Sequence, residues 1–462
     1  MKTMPDASLV QATEQKILAG RFPPGFVWGV ATSAYQIEGA AHLDGRADSI
    51  WDEFCRRPGT IKDGSSGITA CDHYHRLDAD LDLIASLGIR SYRFSISWPR
   101  VQPQGMGAWN EAGFAFYERL IAGLAGRGIA AHATLYHWDL PLALQERGGW
   151  SNRDTMHRFA AYAVEVGRRF GGRVASIATH NEPWVVAILG HEAGIFAPGI
   201  KSRKTAMQVA HHLLVSHGLA VRAMRDSGCP APLGIVLNQS PIHAATDSET
   251  DRAKARLDDG LIIRWYMDPL LHGRYPDDVV SHLGDDAPMV EPGDMQLIRQ
   301  PLDFLGINYY TRSVAATGAG KDDSAPHREV TDMGWEVFPD GLSELLRRLH
   351  DDYSLPPIYI MENGAAYKDE VRGERVADVD RIRYLYSHIA ALADALETGV
   401  DVRGYFVWSL LDNFEWADGY SKRFGIVHVD YATQRRLPKD SAIWYRDFLD
   451  TVAGAAAASP RA

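Results

Sequence analysis

Two glutamates are the residues of this sequence best placed to do chemistry. Glu362 closes an apolar run at 358–361 and is followed by Asn363-Gly364, and Glu182 lies just past a run at 174–179, in Asn181-Glu182-Pro183. A charge at the end of a buried strand is costly unless it is paired or used. Taken singly, each has an ordinary explanation as a strand-terminal carboxylate capping a helix or sitting in a surface ion pair. Gly364 reads as the residue that lets the chain turn sharply after Glu362. Taken as a pair facing each other over a pocket, two carboxylates suit glycoside cleavage, one as general acid and one as nucleophile or base. A sugar also asks for aromatic faces and for paired donors and acceptors. The chain has 12 Trp and 19 Tyr to draw on, most of them committed to core or surface.

Whether the two glutamates can face each other depends on the elements that carry them. Eight apolar runs recur, at residues 26–31, 89–96, 129–135, 174–179, 232–237, 302–307, 358–361 and 402–410. Helical spacing fills the intervals, as in Leu77, Leu81, Ile84 and Ala85 before Gly88, or Leu120, Ile121 and Leu124 before Gly128. Met156, Phe159, Ala160 and Ala163 repeat the pattern. Continuous apolar strands alternating with helices indicate a parallel sheet covered by helices, and eight such units close into a single (β/α)8 TIM barrel with long βα loops. A doubly wound open sheet is the competitor, but the first run lacks a Gly-rich phosphate fingerprint, with only Gly29 and Gly39 between 26 and 39. In such a barrel chemistry gathers where strands end. The ends here carry Arg93, His137-Trp138-Asp139, Asn181-Glu182-Pro183, Asn308-Tyr309-Tyr310, Glu362-Asn363-Gly364, and Trp408 with Glu415-Trp416.

The 462 residues divide into an N-terminal tail at 1–20, loose or briefly helical, a barrel domain at 21–452 and a flexible small-residue tail at 453–462. Polar runs near 247–259 and 315–329 read as long loops. Hydrophobic residues make up 46% and charged residues 23%, ordinary for a globular protein. A net charge of −11 argues against a general nucleic-acid binder and is read as solubility. Three scattered cysteines form neither a disulfide framework nor a zinc spacing. With no signal-peptide pattern and no apolar stretch long enough for a membrane span, a cytoplasmic protein without membrane partners is expected. Oligomeric state is left open.

Six blocks in order carry a resemblance. Phe26-Val27-Trp28-Gly29-Val30-Ala31-Thr32-Ser33-Ala34-Tyr35-Gln36-Ile37-Glu38-Gly39 comes first, then Arg93-Phe94-Ser95-Ile96-Ser97-Trp98 and His137-Trp138-Asp139-Leu140-Pro141. Asn181-Glu182-Pro183, Glu362-Asn363-Gly364 and Trp408-Ser409-Leu410-Leu411-Asp412-Asn413-Phe414-Glu415-Trp416 complete the set. Across nearly its whole length the chain resembles the β-glucosidases of glycoside hydrolase family 1. A lone Asn-Glu-Pro is weak; six ordered blocks are specific.

The resemblance implies a retaining enzyme that acts on a small-molecule β-glycoside with neither cofactor nor metal. Glu362 would be the nucleophile and Glu182 the acid/base. Arg93 would keep Glu362 ionised, Tyr310 would hydrogen-bond it, and Asn181 would bind the sugar 2-hydroxyl. Gln36, His137, Trp138, Glu415 and Trp416 would serve the glycone, with Trp408 as its floor and Trp335 on the aglycone side. A carboxylate at Glu415, beside the 4- and 6-hydroxyls, would repel a 6-phosphate and favour unphosphorylated glucosides, with galactosides or fucosides as further substrates. Glu at 182 rather than Gln argues against the thioglucosidase branch.

Three positions depart from the family pattern: His180 before Asn181, Met361 before Glu362, and Phe196 in place of a frequent His. Strand alternation puts the His180 side chain between barrel and helices, opposite to those of Thr179 and Asn181. A metal-dependent barrel hydrolase is the main rival, suggested by His73/His75 and His211/His212/His217. The His73/His75 spacing has no strand-end carboxylates to complete a site. A degenerate sugar-binding protein would lack one of the two glutamates, and transglycosylation uses the same intermediate as hydrolysis.

Overall fold

The computed structural model describes residues 12–318 and 329–458. Residues 1–11, 319–328 and 459–462, which include parts of both expected tails and of the polar run at 315–329, lie outside the described residues. Eight parallel strands close into a barrel in sequence order: β1 (Val27–Ala31), β2 (Ser91–Ser95), β3 (Ala130–Tyr136), β4 (Ser176–Asn181), β5 (Leu233–Asn238), β6 (Phe304–Asn308), β7 (Ile358–Asn363) and β8 (Val402–Trp408). Each apolar run of the sequence overlaps one strand, as expected for strands buried on both faces.

The covering helices are α1 (His73–Ser86), α2 (Glu111–Gly126), α3 (Arg153–Phe170), α4 (Arg203–Asp226), α5 (Trp265–Leu271), α6 (Asp340–Asp352), α7 (Val379–Leu396) and α8 (Asp440–Ala458). Helix α3 shows why these segments fold so. Asn152 caps it by accepting from the Asp154 N–H at 3.0 Å. Its buried stripe is Met156, Phe159, Ala160, Ala163, Val166 and Phe170, and burying each large apolar side chain contributes about 1.5–3 kcal/mol. Gly88, at φ +69°, and Gly128, at φ +66°, follow the ends of α1 and α2 in the left-handed conformation that stops a helix.

The structure corrects one local expectation. The polar run at 247–259 is not a loop: Ser248 caps a helix at Glu249–Asp259 that buries only Asp251, Ala255 and Asp259, too little for an apolar period to show. The small-residue tail is helical as far as Ala458, consistent with the high helix propensity of alanine. Residues 12–19 form a short helix, one of the two readings of the N-terminal tail, with Leu18 and Ala19 buried.

The loops leaving the strand carboxyl ends are structured. Ile242–Ala244 pairs with Ser313–Ala315, Val371–Arg372 with Arg375–Val376, and Val427–Asp430 with Arg435–Pro438. Inside the barrel, Ala31, Ala178, Val236, Phe304, Met361, Phe406 and Trp408 form a compact plug beneath the mouth. A Cβ at Gly29 would lie 2.5 Å from the Phe406 ring, so that ring sets the residue there.

Two strands break their alternation just where a glutamate follows. Against β5, the pairing of β4 slips between Ala178 and Asn181. On β7, Ile360 pairs with Ile307 and Glu362 with Asn308, leaving Met361 as an extra residue. Such bulges re-aim side chains. On β7 the bulge lets both Met361 and Glu362 face the barrel interior. On β4 it sends both Thr179 and His180 outward to α4: Thr179 Oγ1 meets His217 Nδ1 at 2.7 Å, and His180 Nε2 meets Ser216 Oγ at 2.8 Å. His180 therefore packs between barrel and helices, stacked on Phe159 at 4.4 Å. Thr179 does not lie opposite it, because simple alternation fails across the bulge.

Candidate active site

A continuous chain of hydrogen bonds joins the two glutamates at the barrel mouth. Arg93 of β2 donates from Nη1 to Glu362 Oε1 at 2.5 Å and from Nη2 to Asn181 Oδ1 at 2.6 Å. Asn308, the last residue of β6, donates from Nδ2 to the same Asn181 oxygen at 3.1 Å and to Glu182 Oε1 at 2.7 Å. The Tyr310 hydroxyl donates to Glu362 Oε2 at 2.7 Å. Glu362 is thus gripped on both oxygens, while Glu182 has one neutral amide donor.

The two carboxyls differ in environment accordingly. Burial first, and the nearby Glu362 charge second, push the Glu182 carboxyl up to about 8, against smaller lowering by Asn308 and Arg93. Glu182 is protonated at neutral pH and can donate. It also sits at φ +49°, a left-handed conformation costly for a side-chain-bearing residue. Trp138 (φ +81°) and Trp416 (φ +49°) share this strain, and all three lie at the mouth.

A second cluster surrounds Gln36. Its Nε2 donates to Asn413 Oδ1 and to the Phe414 carbonyl, both at 2.9 Å, and lies 3.4 Å from Glu415 Oε2. Its Oε1 accepts from Ser33 Oγ at 2.6 Å. Burial, followed by the charges of Asp418, Glu362 and Glu182, raises the Glu415 carboxyl to about 8. His137 stacks on Trp408 at 5.9 Å and on Trp416 at 6.0 Å, and accepts from Asn181 Nδ2 at 3.2 Å through Nε2. Burial and the Arg93 charge hold His137 well below its ordinary value, so the ring is neutral. Trp138 donates from Nε1 to the Asn181 carbonyl at 2.8 Å, and its ring lies 4.5 Å from that of Trp416. Trp335 stands at the outer edge, 5.5 Å from the Tyr310 ring and 6.1 Å from Phe424.

The structure therefore brings together Glu182, Glu362, Arg93, Asn181 and Tyr310 as one cluster. Gln36, His137, Trp138, Trp408, Glu415 and Trp416 form its neighbour. Two residues join these clusters unforeseen. Asn308 was visible only as one more polar strand end, and Asn413 only as part of the Trp408–Trp416 block. Gly364 also has a different task from the one its position suggests. Its φ is not left-handed; instead, a Cβ there would sit 1.6 Å from the Trp408 carbonyl oxygen, so glycine lets the β7 and β8 loops touch.

The histidines that suggested a metal site are engaged elsewhere. His73 pairs with Asp80 at 2.8 Å, His75 with Asp72 at 2.5 Å, and His211 with Tyr275 and Asp294 at 2.9 Å each. His212 meets the Trp150 carbonyl at 2.8 Å, and His217 is the partner of Thr179.

A closed eight-stranded barrel with paired carboxylates and an aromatic, amide-lined mouth defines a glycosidase-like site, and comparison with known proteins places it. The chain belongs to glycosyl hydrolase family 1, whose model matches residues 18–453. Beta-glucosidase A of Acetivibrio thermocellus is 46% identical over 439 residues, spanning 93% of this chain and 98% of that protein. Thermostable beta-glucosidase B of Thermobispora bispora is 48% identical over 435 residues, 92% of this chain and 90% of that protein. The structure is similar to that of the Thermotoga maritima beta-glucosidase in complex with glucoimidazole, with a TM-score of 0.90 and 43% identity, covering 94% of this chain and 99% of that one. Among the described residues no helix is long and apolar enough to cross a membrane.

Proposed function

We propose that this chain is a retaining β-glucosidase that removes terminal β-D-glucosyl residues from short oligosaccharides such as cellobiose and from aryl or alkyl glucosides. The observation that carries the reading is the hydrogen-bond chain from Glu362 through Arg93, Asn181 and Asn308 to Glu182. It leaves one carboxyl gripped by a guanidinium and a phenol, and the other buried and protonated. That asymmetry is what divides nucleophile from acid.

In the first step a Glu362 oxygen attacks the anomeric carbon as the bond to the leaving oxygen breaks, and Glu182 gives that oxygen its proton. The glycosyl ester so formed consumes the Glu362 charge. With that charge gone, one of the two causes raising the Glu182 carboxyl disappears and its pKa falls. Glu182 is then suited to take a proton from water, which attacks the anomeric carbon and returns Glu362 as a carboxylate. Two displacements leave the configuration unchanged. NMR of the first-formed sugar from a nitrophenyl β-glucoside is expected to show the β-anomer before mutarotation; an α-anomer formed first would exclude the double displacement.

Asn181, placed between the carboxyls, serves the 2-hydroxyl, and Gln36, His137, Trp138, Glu415 and Trp416 serve the remaining glycone hydroxyls over the Trp408 ring. Glu362 and Asp418 place negative charge near Glu415, so a 6-phosphate is disfavoured, while a galactoside or fucoside remains acceptable. Trp335 borders the aglycone. The free thiols Cys55, Cys71 and Cys229 fit a reducing compartment such as the cytoplasm.

Asn308 gives this reading a graded test. Its amide lowers the Glu182 carboxyl, so Asn308→Ala is expected to move the alkaline limb of the kcat/KM profile upward by about one pH unit, the worth of one buried hydrogen bond. A limb that stays in place or moves down would separate Glu182 from that limb.

A further inference from the structure

Behind the Gln36 cluster lies a largely buried group of six charges that the reaction does not use. Lys439 is fully buried, and its ammonium lies between Asp369 and Asp412, 2.7 Å from Asp412 Oδ1. Asp412 Oδ1 also accepts from the Gly425 N–H at 3.0 Å, and Oδ2 accepts from Arg423 Nη1 at 2.7 Å. Arg381 pairs with Asp378 and, at 3.2 Å, with Asp369. Three cations face three carboxylates, so the group is balanced. Asp369, Asp412 and His428 have the spacing of a cation site, but it is the Lys439 ammonium that joins the two carboxylates.

What the group holds matters more than its balance. Arg381 Nε donates to the Ala365 carbonyl at 3.2 Å, three residues beyond Glu362 on the β7 loop. Its Nη2 donates to the Arg423 carbonyl at 2.7 Å, on the loop that follows β8. Asp412 immediately precedes Asn413, the acceptor for Gln36, and its carbonyl accepts from Cys71 Sγ at 3.1 Å. The network therefore ties the loop that follows Glu362 to the loop bearing Asn413 and Glu415. A buried ion network is a poor source of net stability, because desolvation offsets most of the attraction, and one that is fully paired can instead fix a single arrangement.

We propose that Arg381 and Lys439 are positioning residues that set the distance between the Glu362 loop and the Glu415 loop, and so couple recognition of the sugar's C6 hydroxymethyl end to the reacting carbon. This rests on the β-glucosidase reading of Glu415. It predicts a change in selectivity, not a uniform loss. A network serving only stability would lower the melting temperature and leave the preference among glycones alone.

The test compares nitrophenyl β-glucoside with nitrophenyl β-xyloside, which lacks the C6 group, in the wild type, Lys439→Met, the charge-balanced Lys439→Met/Asp369→Asn, and Arg423→Gln. Wild-type turnover that disappears in Glu362→Ala checks the glycosidase reading separately. Lys439→Met is expected to lower the glucoside-to-xyloside ratio of kcat/KM about tenfold, the effect of one lost charge-assisted hydrogen bond, chiefly through KM for the glucoside. The balanced double variant is expected to recover part of that ratio. Arg423 is partly exposed, so its variant tests the same shift if Lys439→Met does not fold. Folded variants that lose activity equally on both substrates, or keep the wild-type ratio, would overturn the proposal.

Discussion

Glu362→Ala is expected to turn over aryl β-glucosides at least ~10⁴-fold more slowly than the wild type while keeping its fold, since removal of an attacking group that works as part of a unit forfeits nearly the whole catalytic effect. The size follows from the geometry. Arg93 and Tyr310 hold both Glu362 oxygens, so among the described residues no other carboxylate occupies that place. The variant also leaves the Arg93 guanidinium without its carboxylate, which should draw in a small anion. Added azide or formate is then expected to restore turnover and to yield the α-product, because only one displacement has occurred. Steady-state kinetics and NMR of the product check both halves. Activity within tenfold of the wild type, in a variant with an unchanged circular dichroism melt, would sink the assignment of Glu362.

How much of this was legible in the sequence depended on whether a feature is local. Strands β1 to β8 announced themselves because both faces are buried, which makes each a short apolar run regardless of its neighbours. The residues at their carboxyl ends were legible for the same reason: once the strands are located, the barrel decides that Glu182 and Glu362 share a mouth. Features set by pairing were not legible. The slip on β4 that turns Thr179 to the same side as His180, and the extra residue Met361 on β7, come from register against β5 and β6 and leave no trace in residue type. Asn308 was visible only as one more polar strand end, and only the Glu182 contact gives it a task. Gly364 was misread because a glycine needed for close approach looks the same in sequence as one needed for a turn. The helix at 249–259 failed the periodicity reading because its buried face is largely acidic.

Glu182→Gln is the experiment that divides chemistry from placement, since it keeps shape and volume while removing the proton. Acid assistance contributes about 10²–10⁴-fold where the leaving group is poor. Cellobiose and alkyl glucosides should therefore lose about that factor in kcat/KM, while a dinitrophenyl glucoside, whose phenolate leaves unaided, should lose little. For the dinitrophenyl substrate kcat should still fall, because attack by water on the glycosyl ester also needs Glu182, so a pre-steady-state burst is expected. The pH dependence carries the sign. In the wild type the Glu182 carboxyl, raised from its ordinary 4.5 to about 8, is the required acid, so kcat/KM should decline as pH rises through about 8, and Glu182→Gln should lack that limb. The same shift bears on stability: the folded chain keeps a proton that the unfolded chain releases, so the contribution is complete below the unfolded value and drains as pH climbs toward 8. Glu182→Gln should flatten part of the Tm profile, leaving the shares due to Glu415 and Asp139, whose carboxyls burial raises likewise. Equal losses across all leaving groups, with an unchanged alkaline limb, would mean that the proton comes from a group other than Glu182.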